Sequence, residues 1–284
     1  MINPRKLLKK VKAYEKFKDI TKSIQLVALS NIAELKDNLS SRFLAITPFL
    51  VFFDVERYSE CKYMNCLVMP INVDKNCCGP HNNEVFNSTN NLIEYLEDKE
   101  NVVRLFTTGR KGRHYFINHY PGYIIKHIER FNKDIATLSI FSCSIVAEKI
   151  TKLETDRYFI VFRRFINIFK QEPSSYEIVS FNEFLSLLID SSSLNEGIFQ
   201  RVILDYKDHT NYINDLYLFG VSLLLMDSFE ENEYSSLGAR VVAMDSAKKN
   251  AGKLVDISTL IYNKARQEYT TTELTEIVSC ANFV

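Results

Sequence analysis

The longest stretch without a helix breaker constrains this chain most. Between Pro4 and Pro48 there is neither a glycine nor a proline, and lysines separate apolar or small side chains that mostly recur every three or four residues. The recurring positions are Phe17, Ile20, Ile24, Val27, Ala28, Leu35 and Leu39. This period indicates an amphipathic helix, and its length far exceeds the roughly 11–12 residues of an average helix. We therefore expect either one arm of a coiled coil or a hairpin of two helices.

A second long helical pattern ends the chain. No proline follows Pro173, and from about Lys207 onwards the three- to four-residue spacing returns. The repeating positions are Leu237, Val241, Met244, Ala247, Ala251, Leu254, Ser258, Ile261 and Ala265. The pattern is interrupted by Gly220, Gly238 and Gly252. Each glycine costs about 1 kcal/mol against alanine, but small residues also let a second backbone approach closely. We expect the serine-rich, acidic segment 227–236 to be the weakest part of this helix and to fray.

Between the two helical stretches the sequence period changes. Short runs rich in apolar, aromatic or β-branched residues predict strands at 66–73, 102–107, 158–162 and 176–181, although Pro70 counts against a fully regular first strand. Helical patterns occupy 83–99 and 123–153. Alternation of strands and helices predicts an α/β domain with a mainly parallel sheet.

The predicted domains are an N-terminal coiled-coil helix (1–58), a globular α/β domain (62–200) and a C-terminal coiled-coil helix (205–284). The two end helices carry matching stripes, which they can bury against each other. Because a compact domain lies between them in the chain, an antiparallel left-handed coiled coil is the simpler geometry.

Charge and cysteine content exclude several classes of protein. Lys+Arg and Asp+Glu both number 35, and this neutral balance argues against a dedicated nucleic-acid binder. No run of 18 apolar residues is present, so we expect no membrane span. The six cysteines contain no CxxC pair, which favours buried free thiols in a reducing compartment over a zinc site or disulfides.

The sequence contains no complete set of catalytic residues that would indicate an enzyme. There is no GxxxxGK[ST] phosphate loop, and the five histidines show no HExxH spacing. The basic segment 109–112 is expected to be a turn after a strand rather than a phosphate site. Cys78 near His81 lacks an identified base and orienting group for a nucleophilic thiol. Asp74 is expected to be structural, capping the next helix.

Several motifs resemble one family, in the same order along the chain. Ile20–Ala28 (ITKSIQLVA) resembles the KITKAMKMVA of the gamma subunits of F-type ATP synthases. The segments 74–79 (DKNCCG) and 109–113 (GRKGR) resemble that family's D(R/K)GLCG and GRKGR, with Asn76 and Cys77 where the family has Gly and Leu. The most specific matches are 239–252 (ARVVAMDSAKKNAG) and 262–277, which look like ARMxAMDxAxxNAG and YNxxRQxxITxELxEI.

This resemblance implies a central-stalk rotor subunit without a catalytic site or cofactor of its own. The coiled coil would sit inside a ring of alpha and beta subunits, and the α/β domain would contact the c-ring and the delta or epsilon subunits. Proton-driven rotation would then change the nucleotide affinities of the beta subunits. No nucleic acid is expected as a partner, and the chain would be peripheral to the membrane.

The resemblance also suggests which residues meet the alpha/beta ring. They are Lys22, Ile24, Arg240, Arg266, Gln267 and Glu273. Arg266 and Gln267 would hydrogen-bond a beta-subunit loop, since a guanidinium makes directional, charge-assisted bonds. Leu26, Phe283 and Val284 would join Ile24 as an apolar bearing surface.

The compartment and two rival functions remain open at this point. The divergence of the chain and its Asn-, Lys- and Ile-rich composition favour the matrix side of the mitochondrial inner membrane, with the cytoplasmic side of a bacterial plasma membrane as the alternative. The first rival function is a coiled-coil scaffold or adapter that does not rotate. The second is a small α/β enzyme with helical extensions.

Overall fold

The computed structural model describes residues 4–52, 64–129, 139–153, 155–191 and 210–281. Its elements in chain order are α1 (Pro4–Phe52), β1 (Asn65–Pro70), α2 (His81–Asp98), β2 (Val102–Thr108), α3 (Gly109–His119), β3 (Ile124–Ile128), α4 (Ile140–Thr151), β4 (Arg157–Phe165), β5 (Gln171–Val179), α5 (Phe181–Ser191) and α6 (Thr210–Ala281). The first helix is thus continuous over 49 residues and is not a hairpin of two helices.

Contacts between residues divide the chain into two compact units. The first unit contains Met1–Asn31 and Arg240–Val284, and the second contains Ile32–Ala239. Both boundaries fall inside the long helices α1 and α6, whereas the sequence placed its boundaries near helix ends. The division into 1–58, 62–200 and 205–284 stays a prediction.

The second unit is built on one five-stranded sheet. Its strand order is β3-β2-β1-β4-β5, with parallel pairing throughout except between β4 and β5. This confirms the predicted α/β domain with a mainly parallel sheet. The central strand β1 is almost wholly buried, which explains why its sequence is a continuous apolar run.

Alternate residues of β1 enter two separate cores on the two faces of the sheet. Leu67 and Met69 pack in a core with side chains from α4 and α6, such as Val146 and Tyr217. Cys66 and Val68 pack on the other face with side chains of α2 and α3. The period of two along the strand therefore gives the unit its three layers.

Two predicted elements of the second unit are wrong. The segment 123–153 was expected to be a helix, but it contains β3 and α4, and residues 130–138 between them lie outside the description. Its β-branched start pairs with β2, and α4 begins only where the Ser139 side chain accepts a hydrogen bond from the Ser142 N–H. The predicted turn at 109–112 is instead the first turn of α3.

The segment 227–236 does not fray, contrary to expectation. It is helical throughout and mostly buried in the second unit, and Ser228, Ser235 and Ser236 have no exposed surface. The hydroxyl groups of Ser228 and Ser236 donate to carbonyls of the preceding turn, at 2.7 and 2.8 Å. Serines reduced the apparent helical signal, but their small side chains let the helix pack closely, and two of them satisfy their hydroxyls within the helix.

The first unit is a pair of helices with a shared seam. On α1 the seam positions are Val11, Tyr14, Thr21, Gln25 and Ala28, and on α6 they are Val241, Met244, Lys248, Ala251, Val255, Ser258, Tyr262 and Ala265; all are buried or half-buried. The steps alternate between three and four residues, with one step of seven on α1 that spans two of them, and this repeat of close to 3.5 is that of a left-handed coiled coil.

Contacts at two levels establish that these helices run antiparallel. The Gln25 amide donates to Asp245 at 3.2 Å and accepts from the Lys248 ammonium at 2.9 Å. Arg5 lies twenty residues before Gln25 on α1, and its charge acts on Tyr269, which lies 24 residues after Asp245 on α6. A hydrogen bond to Glu273 raises the pKa of Tyr269, and the nearby Arg5 charge opposes that rise. The predicted antiparallel pairing is confirmed.

Candidate functional site

Three of the predicted partner-contact residues lie in the part of the first unit near Gln25 and Asp245. Lys22 is exposed on α1, and Ile24 is half-buried two residues later. Arg240 is half-buried at the start of the α6 segment of this unit. Their role in contacts with the alpha/beta ring stays a prediction.

The other three predicted residues lie far along α6 and are all exposed. The Arg266 guanidinium lies 5.9 Å from the centre of the Tyr262 ring, within the range of a cation–π contact. Gln267 lines a surface groove together with Lys264, Glu268, Thr271, Thr272 and Thr275. Since Arg266 is 26 residues beyond Arg240, about 39 Å separates the two groups along the helix axis. The six residues therefore do not form one site.

A run of threonines follows the Arg266–Gln267 pair. The hydroxyl groups of Thr270 and Thr271 donate to the carbonyls of Arg266 and Gln267, both at 2.9 Å. Thr272 makes the same bond one residue further along. Such back-bonding satisfies each hydroxyl within the helix and tends to bend it slightly. The outward side chains of Arg266 and Gln267 are therefore held on a stretch whose polar groups are already satisfied.

The outer surface of α1 carries large apolar side chains among its charged residues, while polar side chains enter the seam. Phe17 and Ile20 are 51% and 56% exposed, whereas Thr21 in the seam is 2% exposed. Val27 is also exposed, although Gln25 beside it is half-buried. Three positions of the predicted α1 stripe thus lie on the outer face, whereas Ile24 is half-buried and Ala28 is buried, and polar side chains occupy part of the seam.

On α6, seven of the nine positions of the predicted stripe are buried or half-buried, and two are exposed. Leu254 and Ile261 were expected in its buried stripe, but they are 44% and 46% exposed, and the seam uses Val255 and Tyr262 instead. Phe17 lies eight residues before Gln25, and Leu254 lies nine after Asp245, so the antiparallel pairing puts both at one level. Further exposed apolar side chains on α6 are Ile257, Leu260, Leu274, Ile277 and Val278. Large exposed apolar surfaces of this kind mark sites of protein contact.

Only part of the predicted apolar bearing surface lies within the described residues. Leu26 is exposed, as a bearing residue must be. Phe283 and Val284 lie outside the described residues. Leu274 and the apolar residues after it lie further along α6 than Tyr269, which is level with Arg5 at the start of α1.

In the second unit, the place where an α/β enzyme binds its ligand is occupied by α6. Ligands of open parallel sheets bind at the carboxyl ends of the strands where the strand order reverses, which here is between β1 and β4. At the end of β4, the backbone N–H groups of Arg163 and Phe165 donate to Asn232 and Glu231, at 3.2 and 2.8 Å. After β1, Lys75 forms an ion pair with Glu233. Three consecutive side chains of α6 thus occupy this crevice.

A buried histidine lies beside this contact. His81 at the start of α2 has no exposed surface, and burial, together with the nearby Arg163 charge, lowers its pKa to about 3; the Asn232 side chain opposes this in part. Arg163 itself is nearly buried and forms an ion pair of 2.5 Å with Glu84. His81 is therefore neutral at physiological pH, as expected for a structural histidine in a positively charged surrounding.

The GRKGR segment is explained by packing. The Asp74 carboxylate accepts hydrogen bonds from the N–H groups of Arg110 and Lys111, both at 3.1 Å, so it caps α3 rather than the next helix, α2. Gly109 has a φ of +70°, which favours glycine. A Cβ on Gly112 would lie 2.2 Å from the Asn72 amide nitrogen. The two glycines therefore allow α3 to start tightly against the end of β1.

The described residues contain no group of three or more His, Cys, Asp or Glu side chains that could hold a metal ion. Within the same ranges, no helix is both long and apolar enough to cross a membrane. Cys66, Cys78 and Cys143 are buried free thiols, as predicted, but Cys77 and Cys280 are exposed. Cys61 and His209 lie outside the description.

Comparison with known proteins agrees with the motifs. The ATP synthase family model matches residues 3–284. The ATP synthase gamma chain of Janthinobacterium sp. (strain Marseille) is 28% identical over 301 residues, covering 99% of each chain. The gamma chain of Ehrlichia canis (strain Jake) is 25% identical over 286 residues, covering 98% of each.

Solved structures agree with the fold. A chain in the structure of the Euglena gracilis mitochondrial ATP synthase rotor aligns with a TM-score of 0.76 at 20% identity, over 94% of this chain and 98% of that one. This chain belongs to the ATP synthase family, and its relatives in that family are gamma chains.

Proposed function

We propose that this chain is the gamma subunit, the central-stalk rotor, of an F-type ATP synthase. Its coiled coil turns inside a ring of alpha and beta subunits, and its α/β domain contacts the c-ring and the delta or epsilon subunits. The chain makes and breaks no bond itself. It couples rotation to ATP synthesis because it contacts different conformations of the beta subunits differently at each angle.

The observation that carries this proposal is the set of large apolar side chains exposed on the outer surface of the coiled coil. Phe17, Ile20 and Leu254 are exposed although apolar, while Thr21 and Gln25 are turned into the seam. An isolated coiled coil gains stability by the opposite arrangement. The arrangement suits a shaft enclosed by partner subunits, because an apolar surface has few directional bonds to trap it at one angle.

We propose that residues at two levels of the coiled coil contact the ring, and that the polar ones among them provide the directional contacts. Arg266 and Gln267 hydrogen-bond a beta-subunit loop, and Glu273 lies on the same stretch of α6. Lys22, Ile24 and Arg240 contact the ring at the other level. The exposure of Arg266, Gln267, Glu273 and Lys22 supports this assignment, and its separation into two groups fits contacts with different parts of a tall ring.

We further propose that the complex lies at the mitochondrial inner membrane, with this chain on the matrix side. A mitochondrial rotor is among the structures that share the fold, and the described free thiols suit a reducing compartment. Bacterial gamma chains as relatives favour the alternative, the cytoplasmic side of a bacterial plasma membrane. Subfractionation of the source cells, with protease protection of the inner-membrane fraction, decides between these two locations.

The function is tested by expressing the chain with its alpha and beta partners. We expect an assembled complex that hydrolyses ATP. The Arg266→Ala, Gln267→Ala double variant should weaken assembly or turnover, and Lys253→Ala, an exposed lysine elsewhere on α6, serves as the matched control. A chain that never joins a nucleotide-hydrolysing ring would instead support the non-rotary scaffold. ATP hydrolysis by the isolated chain would support the other alternative, a small α/β enzyme with helical extensions.

A further inference from the structure

The middle of α6 is enclosed on all sides by the second unit. Residues 232–239 are all buried, which is more than two full helical turns. Such a helix is normally apolar all round, but this one begins with the buried Asn232 and Glu233, and the half-buried Glu231 directly precedes them. We call these three residues the collar. A buried polar group needs a specific reason, because each must keep its hydrogen bonds to be tolerated.

Each collar residue binds a different place on the sheet. Glu231 accepts a hydrogen bond of 2.8 Å from the Phe165 N–H, at the end of β4. Asn232 accepts from the Arg163 N–H, two residues earlier on that strand, at 3.2 Å. Glu233 is 7% exposed in its side chain and pairs with Lys75, in the segment after β1. The collar therefore ties α6 to the ends of both central strands.

The direction of these bonds matters more than their number. Consecutive residues of a helix project about 100° apart, so the collar holds α6 over about 200° of its circumference. A hydrogen bond or ion pair weakens steeply when its geometry changes, whereas apolar contacts do not depend on direction. Turning α6 about its own axis inside the second unit would break all three bonds together. Apolar packing alone would resist such turning less.

A close backbone approach beside the collar restricts α6 further. A Cβ on Gly238 would lie 3.0 Å from the Gln171 amide, 3.1 Å from the Phe165 ring and 3.4 Å from the Ile168 carbonyl oxygen. The segment that joins β4 to β5 thus lies directly against α6. Tyr176 on β5 adds a hydrogen bond of 2.6 Å to Asp227, one turn before the collar.

We propose that the collar is a rotational lock that makes α6 turn together with the α/β domain. The inference rests on the proposed rotor function, and it assigns Lys75, Glu231, Asn232 and Glu233 as positioning residues for torque transmission. Torque that enters at the α/β domain reaches the catalytic ring only if α6 cannot turn within that domain. In this unit, α6 thus occupies the crevice in which open parallel sheets bind ligands.

The test is a charge swap at the Lys75–Glu233 pair in the assembled complex. Inverted membrane vesicles that contain the complete synthase are assayed for ATP hydrolysis and for ATP-driven proton uptake. We expect Lys75→Glu and Glu233→Lys each to keep hydrolysis but to lower the proton uptake per ATP. The combined swap should restore the ratio. Lys170→Glu, in an exposed ion pair of the same unit, is the matched control and should change nothing.

A second variant covers the case in which the single changes prevent assembly. Lys75→Met with Glu233→Met replaces the pair by apolar groups of similar size, a change that is often neutral for stability. We expect this complex to assemble and hydrolyse ATP with a lowered uptake ratio. A wild-type ratio in the methionine variant, or no rescue by the swap when both single variants assemble, would overturn the lock. A wild-type chain absent from the synthase would instead refute the proposed function.

Discussion

The buried His81 makes the stability of the second unit depend on pH in a calculable way. In the folded chain the pKa of His81 is lowered to about 3 by burial and by the Arg163 charge, while in the unfolded chain it takes the ordinary value of 6.5. Below pH 6.5 the unfolded state therefore binds a proton that the folded state rejects. The stability contributed by the neutral histidine is complete above pH 6.5 and is lost as the pH falls towards 3.

The magnitude follows from the unfolded-state value. At pH 5 the folded histidine is still neutral, so the loss relative to pH 7 is about 1.4 kcal/mol for each of the 1.5 pH units below 6.5, or about 2 kcal/mol. The perturbation is His81→Gln, which keeps a polar side chain but cannot take up a proton. The variant should lose about 2 kcal/mol less than the wild type between pH 7 and pH 5.

The assay is urea unfolding of the purified chain, followed by circular dichroism at pH 7, 6 and 5. Carboxylates also contribute to the pH dependence, but they are the same in both proteins, so the difference isolates His81. His114→Gln, at an exposed position, is the control and should keep the wild-type slope. Parallel pH profiles for wild type and His81→Gln would refute the reasoning, because a buried neutral histidine could not then be present.

Three other predictions concern packing, and urea unfolding of the purified chain measures each. Gly252→Ala should raise the free energy of unfolding by up to about 1 kcal/mol, because alanine favours the helix and its Cβ would meet nothing within 4 Å. Gly238→Ala should show no such gain, because its Cβ would lie only 3.0 to 3.4 Å from neighbouring atoms. A gain of equal size in both would show that Gly238 is not needed for close packing. Gly112→Ala should lower the free energy by about 1–3 kcal/mol, since its Cβ would overlap the Asn72 amide, and an unchanged midpoint would contradict that overlap. Arg157→Met should cost about 3–5 kcal/mol, because this buried arginine pairs with two glutamates, at 2.8 and 2.6 Å, and their carboxylates would lose it; a loss below 1 kcal/mol would mean that water replaces it.

Much of the fold was readable because local patterns and tertiary packing agree. The apolar run of β1 predicted a buried strand, and the breaker-free stretch after Pro4 predicted one long helix. The segment 123–153 failed because an apolar start followed by a helical pattern does not reveal where the period changes. The start of α4 depends on one local capping hydrogen bond, from the Ser142 N–H to the Ser139 side chain, and the spacing of apolar residues does not locate it.

The site was less predictable, for a physical reason that concerns the function itself. Hydrophobic spacing assigned Leu254 and Ile261 to the buried stripe, but a chain enclosed by partners also carries apolar residues on its outer face. The sequence of one chain cannot distinguish a seam between its own helices from a surface that awaits another subunit. The collar was missed because Asn232 and Glu233 look like solvent-facing helix residues until their partners on β4 and after β1 are known.

Rotation within the alpha/beta ring tests the central claim most directly. Cys77 is exposed in the second unit, so a bead can be attached to it once Cys61 and Cys280 are changed to serine, while the alpha/beta ring is fixed to a glass surface. If the chain is the rotor, the bead turns in one direction when ATP is added and stops when ATP is removed. A complex that assembles and hydrolyses ATP with a stationary bead would contradict the account.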